Sequence, residues 1–204
     1  MQILKKEVKD AIIREGKKEF LAHGFKNSAL RQIAGKAGIS AGNLYKYFKS
    51  KDDLFMTVVQ PAIDTIKKMA DHEIVQMDSI QEEIIAMFIE NYSEEIISAF
   101  LVHRDEFLLV LNYSEGSKHE NVKNEITEYF IRHILDHFKA ENIKMDDCDF
   151  KYIPEAYAVS TIEGFISILN KNDSKEIIAA NLKMYFGFIL SEFMVIIEKL
   201  RGVK

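Results

Sequence analysis

The sequence is poor in the residues that interrupt helices and in the residue that cross-links chains. Two prolines and nine glycines occur in 204 residues, and tryptophan is absent. A lone cysteine, Cys148, excludes an internal disulfide and fits a reducing compartment. With so little turn chemistry and long stretches rich in Ile, Leu, Phe, Glu and Lys, the composition predicts an all-α protein.

Signals for export and for membrane insertion are also lacking. The first seven residues contain no apolar core followed by a cleavage site. In the most apolar carboxy-terminal segment, residues 177–200, the longest uncharged run covers 184–191, which is too short to cross a bilayer. We therefore expect a cytoplasmic protein with no membrane partner, and a buried helix in this segment.

Charge is distributed unevenly along the chain. Residues 1–51 hold 12 Lys/Arg against 4 Asp/Glu, a net charge of +8, and the remainder holds 15 against 28, a net charge of −13. A basic amino-terminal segment attracts phosphates, whereas an acidic body discourages DNA from binding elsewhere. The two parts are predicted to have different electrostatic partners.

Residues 28–51 predict two short helices joined by a tight turn. Ser28 and Ser40 are placed to cap helices that begin at the following residues, and Gly38 permits the backbone to turn. Apolar residues recur at helical spacing on both sides of the turn: Leu30, Ile33, Ala34, Ala37, Ile39, Leu44 and Phe48. This layout places one helix into a groove of DNA.

From about residue 12 to residue 54 the chain resembles the DNA-binding region of the tetracycline-repressor (TetR) family of transcriptional regulators. The resemblance is carried by Phe20, Gly24 and Phe25, by Ser28 with Arg31, Ile33 and Ala34, by Ala37 to Ser40, by Gly42 to Phe48, and by Lys49 to Lys51. Glu19, Gly16 and Asn43 depart from the usual pattern, where an apolar residue, alanine and threonine are common. The rest of the chain carries no motif that we can name.

The expected organisation is a three-helix helix-turn-helix DNA-binding domain at residues 1–50 and a helical effector-binding and dimerisation domain at 51–204, with about nine to ten helices in all. The first helix should run from about residue 5 to 23 and end at Gly24. A fourth, from 50 to 71, should bend or break before Pro61. Further helices are predicted near 79–91, 93–102, 104–111, 120–140, 152–169 and 174–200, the last opened by Asp173 with Glu176.

The helix after Ser40 would present its first residues to the DNA. In that pose Asn43, Tyr45, Tyr47 and Lys51 would reach phosphates, as the resemblance also implies for these positions. Base edges would be read by Arg31, Lys46, Ala41 and Gly42. Ser28 and Ser40 complete the predicted DNA-binding set, while packing alone remains open for Tyr47 and simple solvation for Lys51.

Specific binding by so small a reading helix normally needs two copies, about 34 Å apart. The last two helices are the candidates for a homodimer interface because their apolar residues cover more than one face. The predicted contacts are Ile162, Gly164, Phe165, Gly187, Phe188 and Phe193. The two glycines suggest close approach of another helix, as the family's four-helix bundle also implies, and relief of crowding inside one subunit is the alternative.

An effector pocket is predicted from apolar and aromatic residues with a few polar handles: Met87, Phe88, Tyr92, Phe107, Leu108 and Tyr113. The alternative is that they are plain core. His133 and His137 have a spacing that can chelate a metal, with Asp136 and Cys148 as further ligands, but an exposed polar stripe is the simpler interpretation. We expect no metal and no cofactor.

The sequence thus favours a ligand-responsive transcriptional repressor. It would bind a palindromic operator of double-stranded DNA as a homodimer and be released by an unknown, mostly apolar small molecule, with coupling through the helix at Pro61. An enzyme is not expected, because no Gly-rich phosphate loop, His-Glu-x-x-His or Gly-x-Ser-x-Gly pattern occurs. A helical small-molecule-binding or interaction module without specific DNA binding is the other alternative.

Overall fold

The computed structural model describes residues 5–71, 93–143 and 150–201, and these residues form helices, turns and no strand. The helices are α1 (Lys6–Asn27), α2 (Leu30–Lys36), α3 (Ala41–Leu44), α4 (Lys51–Asp71), α5 (Ser93–Val102), α6 (Arg104–Asn112), α7 (Val122–Ala140), α8 (Ile153–Leu169) and α9 (Lys175–Arg201). The predicted all-α fold is confirmed. The helix predicted near 79–91 lies outside the described residues.

The helices group into two compact units. Within the described residues the first unit comprises 5–71 and 103–123, and the second comprises 93–102, 124–143 and 150–201. Both α4 and α6 therefore pack with the amino-terminal helices. The domain boundary predicted at residue 50 remains a prediction, and the internal contacts place α4 on the amino-terminal side of the division.

The core of the first unit is built on three aromatic rings. Phe20 and Phe25 from α1 each contact Phe55 from α4, with ring centroids 5.1 Å apart in both pairs. Helix α6 adds a run of buried side chains from Glu106 to Leu111. Lys17 pairs with Glu106, Nζ to Oε1 at 2.6 Å, so the one charged group in this run is compensated.

Gly24 ends the regular part of α1, as predicted. Its φ of 71° and ψ of 166° are non-helical, and a left-handed φ is a conformation that glycine adopts without a Cβ penalty. The break frees the N–H of Phe25, which donates to the Tyr113 carbonyl at 2.8 Å. The end of α1 is thereby fixed to the loop after α6.

Pro61 does not break α4, so that part of the prediction is wrong. The helix runs from Lys51 to Asp71 through the proline. Pro61 lacks the N–H that would pair with the carbonyl of Thr57. Buried contacts on both sides of it, at Val58, Val59 and Ala62, hold the helix together in spite of that lost bond.

The second unit packs α7, α8 and α9 around a smaller core. Ile134 and Phe138 from α7, Ala158 from α8 and Ile197 from α9 are its buried centre. A second contact group joins Phe100 to Phe165, with ring centroids 4.6 Å apart. Helix α9 is capped by Ser174, whose Oγ accepts from the N–H of Ile177 at 3.4 Å, rather than by Asp173 as predicted.

Most of α9 is not buried, which corrects the predicted buried helix. Met184 is 77% exposed and Phe188 is 59% exposed. Of the helices in the described ranges, this one alone is long and apolar enough to cross a membrane by length and composition, and 11% of its most apolar window is buried. An apolar helix face of this kind is also what a helix partner covers, so the length alone decides neither case.

Candidate nucleic-acid interface

The turn between α2 and α3 is built as the sequence predicts. Ser40 caps α3, with its Oγ accepting from the N–H of Asn43 at 3.2 Å. Gly38 has a φ of 71°, which the turn requires and which a side chain would oppose. Ile33 and Leu44 are fully buried and hold the two helices together. Helix α3 itself is short, and residues 45–47 continue it as turns.

Ser28 does not cap α2 as predicted. Helix α2 begins at Leu30 with Ala29 as its cap residue, and no side chain caps it. The hydroxyl of Ser28 instead donates to the Phe25 carbonyl at 2.7 Å, and the residue is buried. Ser28 therefore closes the end of α1 and presents no hydroxyl to solvent.

Glu19, one of the three departures from the TetR pattern, is buried and forms an ion pair with Lys36. Its Oε2 accepts from Nζ of Lys36 at 2.8 Å, which ties α1 to α2 across 17 residues of sequence. This hydrogen bond holds the pKa of the Glu19 carboxyl below its usual range. A buried carboxylate is tolerated here because its partner is supplied by the next helix.

The residues predicted to face DNA lie outward around α3. Tyr45 is 55% exposed and Tyr47 is half-buried. Arg31 on α2 and Lys46 are exposed, and Asn43 is half-buried. The apolar Leu44 and Phe48 point inward, so the helix turns its polar and aromatic side chains away from the core.

Gly42 lies in open space on this outward face. A Cβ built on it would meet no atom within 4 Å, and its backbone φ is not in the left-handed region. Neither crowding nor backbone conformation within the described residues explains a glycine at this position.

Lys51 has a structural role in place of the predicted phosphate contact. Its Nζ donates to the carbonyls of Phe25 at 2.7 Å, of Lys26 at 3.2 Å and of Ser28 at 3.2 Å. It also lies 4.4 Å from the Phe25 ring centroid. Burial lowers the pKa of this lysine. The ammonium group satisfies the carbonyls at the end of α1 and is not directed at a ligand.

One basic residue on this side of the unit was not predicted. The Nζ of the exposed Lys9 lies 5.8 Å from the centroid of the Phe48 ring. This contact places α1 beside the end of the turns that follow α3. No local pattern could have indicated this, because the two residues are far apart in sequence.

The predicted dimer residues separate into two groups. Ile162 and Phe165 are buried within the subunit, and Phe193 packs against Tyr157 with ring centroids 5.4 Å apart. A Cβ on Gly164 would collide with the hydroxyl of Tyr185, so this glycine relieves crowding inside the subunit. These four do not form an outer surface, Gly187 is half-buried, and Phe188 is the predicted residue that does lie outside.

Six exposed residues of α9, four of them apolar, form a single stripe. They recur at alternating spacings of four and three residues, the seven-residue repeat of helices that pack in pairs. The stripe consists of Ile177, Asn181, Met184, Phe188, Ser191 and Val195. The seven-residue repeat is present in the sequence. It was not recognised there because apolar residues also occur on the other faces of α9.

Of the six residues predicted to line an effector pocket, the three that the structure describes do not share a cavity, and the pocket stays a prediction. Phe107 and Leu108 are buried in the core of the first unit, because α6 is surrounded by α1 and α4. Tyr113 lies instead at a shallow cleft of about 310 Å³ beside the end of α1. The other three, Met87, Phe88 and Tyr92, lie outside the described residues.

His133 and His137 lie on one face of α7 with ring centroids 5.8 Å apart. Burial, and then the charge of His133, lower the pKa of His137. Within the described ranges no group of three metal-ligating side chains comes together. Cys148, the ligand considered from the sequence, lies outside these ranges.

Comparisons with known proteins agree with this geometry. Residues 12–58 match the family of bacterial regulatory proteins called the tetR family. The chain is 30% identical over 127 residues to YerO, an HTH-type transcriptional regulator of Bacillus subtilis, covering 62% of this chain and 41% of that protein. It is 38% identical over 63 residues to an HTH-type transcriptional regulator of Staphylococcus aureus, covering 28% of this chain and 34% of that one.

The matches thus span less than half the length of these curated relatives. Among solved structures, a transcriptional regulator from Pseudomonas aeruginosa superposes with a TM-score of 0.50 at 16% identity, over 91% of this chain and 92% of that chain. That likeness supports the fold.

Proposed function

We propose that this chain, a member of the tetR family of bacterial regulatory proteins through its residues 12–58, is a ligand-responsive transcriptional repressor that binds a palindromic operator as a homodimer. The observation that carries the proposal is the outward face of α3, where Tyr45 is exposed and Gly42 stands in open space. An aromatic hydroxyl that reaches phosphates, beside a backbone that admits a base edge, suits a major groove.

The proposed contacts are a subset of those expected from sequence. Asn43, Tyr45 and Tyr47 would hold phosphates, and Arg31, Lys46, Ala41 and Gly42 would face base edges. Ser40 acts through its cap on α3. We leave Ser28 and Lys51 out of the proposed set, since both donate to the Phe25 carbonyl inside the subunit.

Two copies are needed because one short helix reads few base pairs. The exposed stripe on α9 supports a dimer, since its apolar members Ile177, Met184, Phe188 and Val195 follow the seven-residue repeat of a helix-helix seam. Two reading heads about 34 Å apart would then face successive turns of the duplex. A cytoplasmic protein without a membrane partner follows from this use of α9.

Release by an effector requires that the effector prefer an arrangement of the dimer that does not fit the operator. Helix α4 and the segment 103–123 belong to the first unit, which also carries α3. Coupling through α4 at Pro61, as the sequence suggests, stays part of the proposal.

Two single substitutions on the outward face of α3 test the proposed DNA contacts. Tyr45→Ala and Gly42→Leu should each weaken binding to genomic operator fragments by at least about tenfold, because a phosphate contact is lost or the close approach is blocked. Binding would be measured by fluorescence anisotropy over a range of salt. Wild-type affinity should fall steeply with salt, as phosphate contacts require.

Matched controls separate recognition from folding. Tyr152→Ala removes another exposed tyrosine and Ala22→Leu enlarges another exposed small residue, and both should bind operator as the wild type does. Operator affinity unchanged in Tyr45→Ala and in Gly42→Leu would refute the proposed interface. Binding that is absent, or insensitive to salt, in the wild-type protein would favour an interaction module without specific DNA binding.

A further inference from the structure

A groove runs between α5 and α9 in the second unit. Its volume is about 480 Å³, within the range of about 300–1,000 Å³ that is usual for small-molecule sites. Ile97 and Leu101 from α5 and Ala179 from α9 give it an apolar lining. Phe107, Leu108 and Tyr113, the described residues among those predicted for effector binding, do not line it.

The groove carries lysines at separate positions along its length. Lys175 and Lys183 both line it from α9 and stand eight residues apart, or about 12 Å along the helix. Lys183 has a partner, since its Nζ lies 3.9 Å from the carboxylate of Glu94. Lys175 makes no salt bridge among the described residues, although its charge contributes to the lowered pKa of the adjacent, exposed Glu176.

The first turn of α9 does not need an outside anion. The Ser174 hydroxyl accepts from the N–H of Ile177, and a hydrogen bond to its own backbone N–H, with one to Ser174, lowers the pKa of Glu176. An anion entering the groove would therefore be bound by the ammonium group of Lys175 rather than by the helix end. The apolar lining beyond it suits a hydrocarbon chain.

The groove is separate from the stripe proposed for dimerisation. On a helix of 3.6 residues per turn, Lys175, Ala179 and Lys183 lie on one side of α9, and Ile177, Met184 and Phe188 lie on another. A ligand and a second subunit could occupy α9 at the same time.

We propose that this groove binds a small amphiphilic anion, with its carboxylate or phosphate head at Lys175 and its alkyl tail along Ile97 and Leu101 toward Lys183. The inference rests on the proposed function in one respect, since such a ligand would be the effector. It replaces the mostly apolar effector expected from sequence with one that carries a negative charge.

The test is calorimetric titration of the full-length protein with decanoate, decyl phosphate and decanol. Decanoate or decyl phosphate should bind at least about tenfold more tightly than decanol, and the tighter of the two identifies the head group. Lys175→Met should remove that preference and leave decanol binding unchanged. Equal binding of decanoate and decanol by the wild type, or an unchanged preference in Lys175→Met, would overturn the proposal.

Three further variants locate the ligand. Ser98→Trp, at an exposed lining position, should fill the groove and abolish binding of all three probes. Glu94→Gln should tighten decanoate binding, because it removes the negative charge beside Lys183. Lys139→Met, an exposed lysine of α7, should have no effect. Full binding by Ser98→Trp would show that the ligand sits elsewhere.

These titrations contain no DNA, and operator binding is measured without ligand, so the two proposals fail separately. Loss of operator release in Lys175→Met, with operator affinity unchanged, would support both. Tight decanoate binding by a chain that does not bind operator would leave the groove assignment standing and remove the regulatory one.

Discussion

The two units of this chain differ in how far each completes its own core. Eleven large apolar side chains are exposed in the described residues, and of these Tyr45 alone belongs to the first unit. The first unit buries its apolar residues and exposes a basic face, whereas the second leaves ten apolar side chains in contact with solvent. Exposed apolar stripes are typical of interaction surfaces, and in the described residues the second unit carries one.

The comparison is tested most strongly by the same substitution in each unit. Leu54→Ala, at a fully buried position against Gly16, should lower the free energy of unfolding by about 2–5 kcal/mol. Leu135→Ala, at a position 39% exposed in α7, should change it by less than about 0.5 kcal/mol. Urea unfolding at one protein concentration measures both. Similar losses in the two variants would mean that Leu135 is packed rather than exposed.

The second prediction concerns association. Met184→Glu combined with Phe188→Glu should convert the dimer to a folded monomer, because two charges would face each other across the seam, and operator affinity should fall about a hundredfold. Light scattering with size-exclusion chromatography measures the mass over a concentration series.

Leu135→Glu provides its control, since it adds a charge at another exposed apolar position and should leave the dimer intact. A dimer that survives the double substitution would place the interface elsewhere. A wild-type protein that requires detergent for extraction would instead give α9 a membrane role.

The smallest expected effect lies inside the first unit. Lys36→Met leaves the buried Glu19 carboxylate without its charged partner and should cost about 1–3 kcal/mol of stability at neutral pH. The pKa of Glu19 is lowered by that hydrogen bond, so its stabilisation is complete above the unfolded pKa of about 4.3 and is lost as the pH falls through the folded value.

The difference between Lys36→Met and the wild type should therefore shrink in acid, as thermal unfolding at several pH values would show. Lys26→Met breaks a pair in which both side chains are exposed, Lys26 with Glu115, and should cost less than about 1 kcal/mol. A pH-independent difference for Lys36→Met would mean that Glu19 is stabilised by some other group.

Local rules predicted the parts of the fold that depend on local chemistry. The cap at Ser40, the turns at Gly24 and Gly38 and the ends of α5 and α8 follow from residues adjacent in sequence. Contacts between distant residues could not be predicted in this way. Glu19 finds Lys36 only when α1 and α2 cross, and the continuous α4 at Pro61 depends on the packing around it.

The same limit explains the errors in the candidate sites. Lys51 has the position of a phosphate-binding lysine, but its ammonium group is used by carbonyls 23 to 26 residues away. Phe107 and Leu108 have the composition of a pocket lining, yet α6 is enclosed by its neighbours. Apolar composition indicates burial, and only the arrangement of the helices shows whether a space remains beside it.

The three hydrogen bonds that Lys51 donates to backbone carbonyls limit how α4 can move. Separating the start of α4 from the end of α1 would break three hydrogen bonds of one ammonium group at once. The opening turn of α4 and the end of α1 are therefore expected to move together as one rigid lever.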